Sequence, residues 1–231
     1  SLGLFKKVFI ADKLSPWVDV VFSSDLSNLG SLDLFIGALS YGLQLYFDFS
    51  AYSDMAIGLG LIFGLSLPVN FLSPYKSQSI SEFWTRWHIT LNRFLESLIY
   101  FPLSLKIRRY FFENKISSSI VVIFLSTLIT FFISGLWHGA GWTFIIWGLY
   151  HGFFVSLQRT YSYIKANYLI NDNHYSNSKI VLIKNVFFTN LVVFLSWIIF
   201  RSENLSFTID YYQTLFSFFD GSWTLFFNQV Y

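Results

Sequence analysis

Apolar runs and charged runs alternate along this 231-residue chain, and the apolar runs have the dimensions of helices that cross a bilayer, which needs roughly 20 apolar residues per crossing. No Lys or Arg occurs from Leu14 to Tyr75. Within that window the pattern predicts one span over about Leu34–Phe47 and another over about Ala51–Leu67. Both are somewhat short, which local thinning of the bilayer or a place inside a bundle accommodates. The 43 residues from Ile116 to Gln158 contain no Asp, Glu, Lys or Arg. That is too long for one crossing and suits two, Ser118–Ser134 and Trp142–Leu157. A last span over Asn185–Phe200 ends at Arg201, and the aromatic tail Phe207–Phe219 has the character of an interfacial segment.

Positive charge gathers between these blocks, in residues 1–13, 68–115 and 158–184. By the positive-inside tendency all three share the cytoplasmic side, so each apolar block is a hairpin that leaves and returns. The turn Gly135-Leu136-Trp137-His138-Gly139-Ala140-Gly141-Trp142 then faces the non-cytoplasmic side or lies at depth. Irregular backbone at depth requires protein or a water-filled cavity around it. The pattern therefore predicts an all-α, polytopic protein of the cytoplasmic (inner) membrane, multi-pass, with re-entrant or buried segments.

Residues 79–100 are neither span nor loop. Ile80, Phe83, Trp84, Trp87, Leu91, Phe94, Leu95 and Leu98 form one helical stripe, with Glu82, Arg86, Arg93 and Glu96 beside it. Ser79 and Glu82 have capping-box spacing, and Glu82–Arg86 is an i,i+4 ion pair in the favourable order. This predicts an amphipathic helix at the interface or against the bundle, with His88 at the edge of its apolar stripe.

Composition strengthens the membrane reading. The chain is 54% hydrophobic, 22% aromatic and 12% charged, against about 25% charged in soluble domains, and its mean hydropathy is +0.52. The net charge of +2 comes without a basic stripe suited to phosphate backbones, so nucleic acid is not an expected partner. The lipid bilayer is. With no cysteine, disulfides, thiol nucleophiles and thiolate metal sites are excluded. The chain opens Ser-Leu-Gly with no cleavable signal peptide, which suggests one membrane domain, 1–231, forming the C-terminal portion of a longer protein.

Four histidines are the candidates for chemistry: His88, His138, His151 and His174. His174 follows Asn171-Asp172-Asn173 in a polar loop, a surface position. His151, in Trp147-Gly148-Leu149-Tyr150-His151-Gly152, suits helix packing and a site about equally. His138 and His88 occupy settings where an ionisable residue is expensive to keep without a use. An imidazole in a low-dielectric pocket stays a neutral base. It can take a proton from a hydroxyl that attacks an acyl carbonyl and return it to the leaving group. A metal site fits poorly, with no cysteine and no His-x-x-x-His pair. Asp48 and Asp54, between apolar runs, suit capping of a tight connection with Ser50 and Ser53; the second reading is a carboxylate orienting a histidine or substrate.

Several strings occur together and in order: Gly3-Leu4-Phe5-Lys6-Lys7-Val8 with Ile10-Ala11-Asp12, Gln44-Leu45-Tyr46-Phe47-Asp48-Phe49-Ser50, Tyr52-Ser53-Asp54-Met55-Ala56-Ile57-Gly58 and Pro68-Val69-Asn70-Phe71. Pro74-Tyr75, Phe83-Trp84-Thr85-Arg86-Trp87-His88-Ile89-Thr90-Leu91, Gly135-Leu136-Trp137-His138-Gly139-Ala140, Trp147-Gly148-Leu149-Tyr150-His151-Gly152 and Phe200-Arg201 complete the set. Through nearly its whole length the chain thus resembles the membrane-bound O-acyltransferase (MBOAT) family, in its bacterial alginate O-acetyltransferase branch. The D-alanyl-transferring branch is less similar around Asp54.

The resemblance implies a multi-helix membrane fold with a central funnel and tunnel. Nothing need be bound as a cofactor. An acyl thioester, acetyl-CoA or an acyl carrier protein, serves as substrate from the cytoplasmic side, and acetyl passes to a hydroxyl of an extracytoplasmic polysaccharide, alginate or another surface glycan. His138 matches the family's essential histidine and His88 its second. His151, Trp137 and Asp48 are possible supporting residues, and Trp137, Trp142 and Trp84 would wall a dry pocket whose glycines let the acyl chain approach. A periplasmic or cell-surface acetyltransferase partner of SGNH type is implied. After the Arg-Trp-His helix, relatives carry Arg-Asp-Tyr where this chain has Glu96-Ser97-Leu98, a reversal of local charge that bears on donor or partner docking. Two other readings stand beside acyl transfer: a transport or export component with His138 and Asp48 lining a polar path, and a scaffold subunit of a surface-modification complex.

Overall fold

A computed structural model describes residues 2–23, 25–113, 119–168 and 178–217. Among these residues the secondary structure is helical, with no strand, as the apolar pattern requires. In chain order the helices are α1 (Leu2–Phe5), α2 (Asp12–Ser23), α3 (Ser31–Ile62), α4 (Ile80–Arg86), α5 (Ile89–Leu95), α6 (Phe101–Glu113), α7 (Ser119–His138), α8 (Trp142–Tyr168), α9 (Lys179–Arg201) and α10 (Leu205–Phe216). π-helical turns at Lys6–Ala11 and Glu96–Tyr100 join α1 to α2 and α5 to α6. His174 and the end of the aromatic tail lie outside the described residues.

The chain divides into two compact units, one containing residues 1–69 and 194–231, the other Asn70–Val193. In the first, α3 runs unbroken for 32 residues, about 48 Å at 1.5 Å per residue. This corrects the expectation of two spans separated near residue 50. No Gly or Pro interrupts the chain between Phe47 and Ile57, so the polar residues there stay helical. Asp48 and Asp54 are therefore not caps. Asp54 accepts from Lys6 Nζ at 2.7 Å and Asp48 pairs with Lys7 at 2.9 Å. Capping falls to Asp33, which accepts from the Gly30 N–H at 2.9 Å. The far end closes on Gly64 at φ +71°, with Leu65 N–H bonded to the Gly60 carbonyl at 2.8 Å, a Schellman-type stop.

Tyr211 of α10, fully buried, donates to the Leu34 carbonyl at 2.7 Å and stacks on Phe22 at 5.1 Å. Arg201, the last residue of α9, reaches Asp19 of α2 at 3.0 Å.

The second unit is built on the α7–α8 hairpin, which falls where the uncharged double run predicts it. α8 continues past Leu157 to Tyr168 and takes in Arg159 and Lys165. Gly135 and Gly148 hold the two backbones together. A Cβ on Gly148 would press on the Phe131 carbonyl and on Gly135 Cα, and one on Gly135 would press on the Phe144 carbonyl. These two glycines serve helix contact. Among the described residues α7 and α9 are long and apolar enough to cross a membrane.

The segment 79–100 is not one helix. It breaks at Trp87-His88, where His88 takes φ 44°, ψ 55°, a left-handed conformation uncommon outside glycine. No Gly or Pro marks the break. It is imposed by residues 70–72: Ile89 N–H bonds to the Asn70 carbonyl at 3.1 Å, the Thr90 N–H and hydroxyl to Asn70 Oδ1 at 3.1 and 2.8 Å, and Leu72 N–H to the Arg86 carbonyl at 3.0 Å. Asn92 Nδ2 secures the other side by donating to the Trp84 and Trp87 carbonyls. The cap and ion pair appear as expected, with Ser79 Oγ accepting from Glu82 N–H at 3.1 Å and Glu82–Arg86 at 2.7 Å.

Candidate functional site

His138 is the last residue of α7, and the turn after it is only Gly139-Ala140-Gly141 before α8 opens at Trp142. Helix termination there leaves the imidazole half-buried at a hairpin end. His88, also half-buried, sits at the start of α5, held in its unusual backbone by the Asn70 and Asn92 bonds. Trp137 contacts both, with ring centroids 4.8 Å from His138 and 6.4 Å from His88.

A second line of rings runs inward from His138. Its imidazole meets Trp147 edge-on at 5.0 Å, and Trp147 meets His151 at 5.0 Å. Trp84 of α4 packs on both, at 5.7 Å from Trp147 and 4.9 Å from His151, and its indole N–H donates to His151 Nδ1 at 3.3 Å. Trp84, Trp147 and His151 are buried, whereas Trp137 and Trp142 are 60% and 69% exposed. The buried part of this ring line is therefore Trp84 with Trp147, while Trp137 and Trp142 lie at the exposed surface. The expected amphipathic segment uses its stripe to pack on α8: Phe83, Trp84 and Trp87 are buried, and Ser81 N–H bonds to Gln158 of α8 at 2.9 Å.

Behind Trp84 opens a cavity of about 300 Å³ between α4, α5, α7 and α8. Trp84, Ile89, Phe131 and Val155 supply apolar surface. Asn92, Thr127, Thr130 and Ser134 supply hydroxyl and amide groups. Arg159 lies over the Tyr100 ring at 5.1 Å, and Arg93 and Glu96 stand at the rim. The Glu96-Ser97-Leu98 departure thus falls on the π-helical turn that borders this cavity. Asp48 belongs to the first unit, where its partner is Lys7. Hydrogen bonds to Asp48 and Asp12 hold that ammonium above the usual lysine range. Among the described residues no cluster of His, Asp and Glu could hold a metal ion.

The sequence names Trp147 only within a motif, and of the cavity lining it singles out Trp84 and Glu96. Trp147 is readable in principle, since it precedes His151 by four residues and so shares its helix face. The cavity depends on how α4 and α5 dock on the hairpin, which spacing along the chain does not encode.

A model of the membrane-bound O-acyltransferase family matches residues 1–202. Over 206 residues, 89% of this chain and 35% of the other, the sequence is 44% identical to the peptidoglycan O-acetyltransferase of Helicobacter pylori. It is 43% identical over 223 residues to the protein of Azotobacter vinelandii named "Probable alginate O-acetylase AlgI", covering 96% of this chain and 40% of that one. The teichoic acid D-alanyltransferase of Bacillus subtilis is 31% identical over 135 residues, 55% of this chain and 33% of its own. The chain spans less than half the length of each of these relatives.

Proposed function

Because this chain belongs to the membrane-bound O-acyltransferase family, we propose that it carries the reaction centre of an O-acetyltransferase of the cytoplasmic membrane. Acetyl would come from a cytoplasmic thioester, coenzyme A or a carrier protein, and go to a hydroxyl of an extracytoplasmic polysaccharide. The relatives named for peptidoglycan and for alginate O-acetylation support a glycan acceptor.

The observation that carries the reading is the convergence of His88 and His138, from separate elements, on the ring of Trp137. His138 takes the proton of the acceptor hydroxyl as its oxygen bonds to the acyl carbon. The C–S bond breaks, and the proton passes from the imidazolium to the departing thiolate, so that a thiol and an ester leave. His88 assists or positions. The cavity behind Trp84 offers the donor arm apolar walls, hydroxyls and the Arg159 guanidinium, which suits its phosphate. A secreted SGNH-type partner would complete modification of the glycan, and the multi-pass arrangement would set donor and acceptor on opposite faces.

The test is transfer of radiolabelled acetyl to glycan in membranes carrying the full protein. Label should appear only when the acetyl thioester is supplied and should persist after an uncoupler collapses the ion gradient. Glycan movement that proceeds without thioester and stops with the uncoupler would mean a transporter instead.

A further inference from the structure

We propose that His151 is a positioning residue: it fixes Trp84 by accepting its indole N–H and, through Trp147, sets the plane of the His138 imidazole. The proposal rests on the reading of His138 as the base. His151 has no exposed surface, and a polar group so placed needs a partner. Trp84 supplies one from another helix, at 3.3 Å from Nδ1. Nδ1 is therefore an acceptor, and the neutral ring carries its proton on Nε2.

The rings then lock one another. Trp84 stands at 89° to His151 and 75° to Trp147, and Trp147 stands at 72° to His151 and 87° to His138. His138 needs such support because it ends its helix, where the backbone is held least firmly. Its ring is aimed by what packs beside it, and Trp147 is held in turn by Trp84 and His151. His151 stays out of the reaction. It determines where the base points.

An apolar residue of similar size would fill the same space, so the decisive property is the acceptor. The substitution His151→Asn places an amide oxygen near the position of Nδ1, whereas His151→Leu fills the volume without an acceptor. In the full protein in membranes, His151→Leu should lower kcat about ten- to a hundredfold, the scale of a misplaced catalytic group. KM for the thioester should stay within about twofold, and His151→Asn should recover most of the rate. In a Trp84→Phe background, which lacks the donor, His151→Asn and His151→Leu should become equal. Equal rates for the two substitutions beside wild-type Trp84, or a difference that survives Trp84→Phe, would overturn the proposal. If His151→Leu does not accumulate, Trp84→Phe alone decides: kcat should fall, and an unaltered kcat refutes it. His138→Ala separates the two readings. Activity retained there sinks the base assignment itself, whereas loss there combined with full activity in His151→Leu sinks only the role of His151.

Discussion

His138 and Trp147 meet edge-on across the α7–α8 hairpin, with ring centroids 5.0 Å apart and planes at 87°. One residue closes α7, and the other lies in the second turn of α8. Their contact exists because Gly135 and Gly148 let the backbones touch nearby. The candidate base is thus aimed by the same close packing that forms the hairpin.

Replacing Gly148 by Ala should therefore damage fold and activity together. The added Cβ would press on the Phe131 carbonyl and Gly135 Cα, backbone that has no rotamer to yield. Overpacking of this kind costs about 1–3 kcal/mol. Gly58→Ala is the matched control, since nothing lies within 4 Å of its Cβ position, and in a helix it should be neutral or stabilising by up to about 1 kcal/mol. Thermal unfolding in detergent, with acetyl transfer alongside, checks both.

Truncating Trp147 should cost more. It is 1% exposed and touches His138, His151 and Trp84. Trp147→Ala should destabilise the protein by about 3–5 kcal/mol, while Trp147→Phe keeps an aromatic wall and should lose much less. Unfolding midpoints of the two variants provide the comparison.

Asn70→Ala should loosen the break between α4 and α5. It removes the acceptor for the Thr90 N–H and hydroxyl, a capping loss of about 1 kcal/mol. Because that clasp holds the His88 backbone at φ 44°, activity should fall beyond what the lost stability explains. Transfer rates measured well below the melting temperature separate the two effects.

In the first unit, Lys6 and Asp54 pair at 2.7 Å with side chains 19% and 36% exposed. Asp54→Asn should cost about 1 kcal/mol, and the exchange Lys6→Asp with Asp54→Lys should restore part of it. A double-mutant cycle on unfolding midpoints measures the coupling, and purely additive effects would mean that the pair contributes nothing.

These residues also show how much of the molecule is legible in the chain. The α7–α8 hairpin, the Ser79 cap and the Glu82–Arg86 pair follow from periodicity and spacing, which are local. The single helix α3 reads as two in sequence, because Asp48, Ser50, Ser53 and Asp54 look like a connection until Lys6 and Lys7 are seen to neutralise the carboxylates from a distant segment. The break at His88 is equally hidden, since the apolar stripe continues through it without a Gly or Pro and Asn70, far back in the sequence, imposes it. His138 and His88 are legible as candidates from their settings. The contact of Trp147 with His138, and the cavity, need tertiary packing to appear.

Whether His138 moves the proton in acyl transfer is tested most directly by acetyl transfer to glycan in membranes carrying the full protein with His138→Ala, quantified at equal protein level. Loss of a general base removes about 10²- to 10⁴-fold in rate, so transfer should fall to background while membrane insertion is unchanged. Transfer at the wild-type rate would contradict the assignment of His138 as the base.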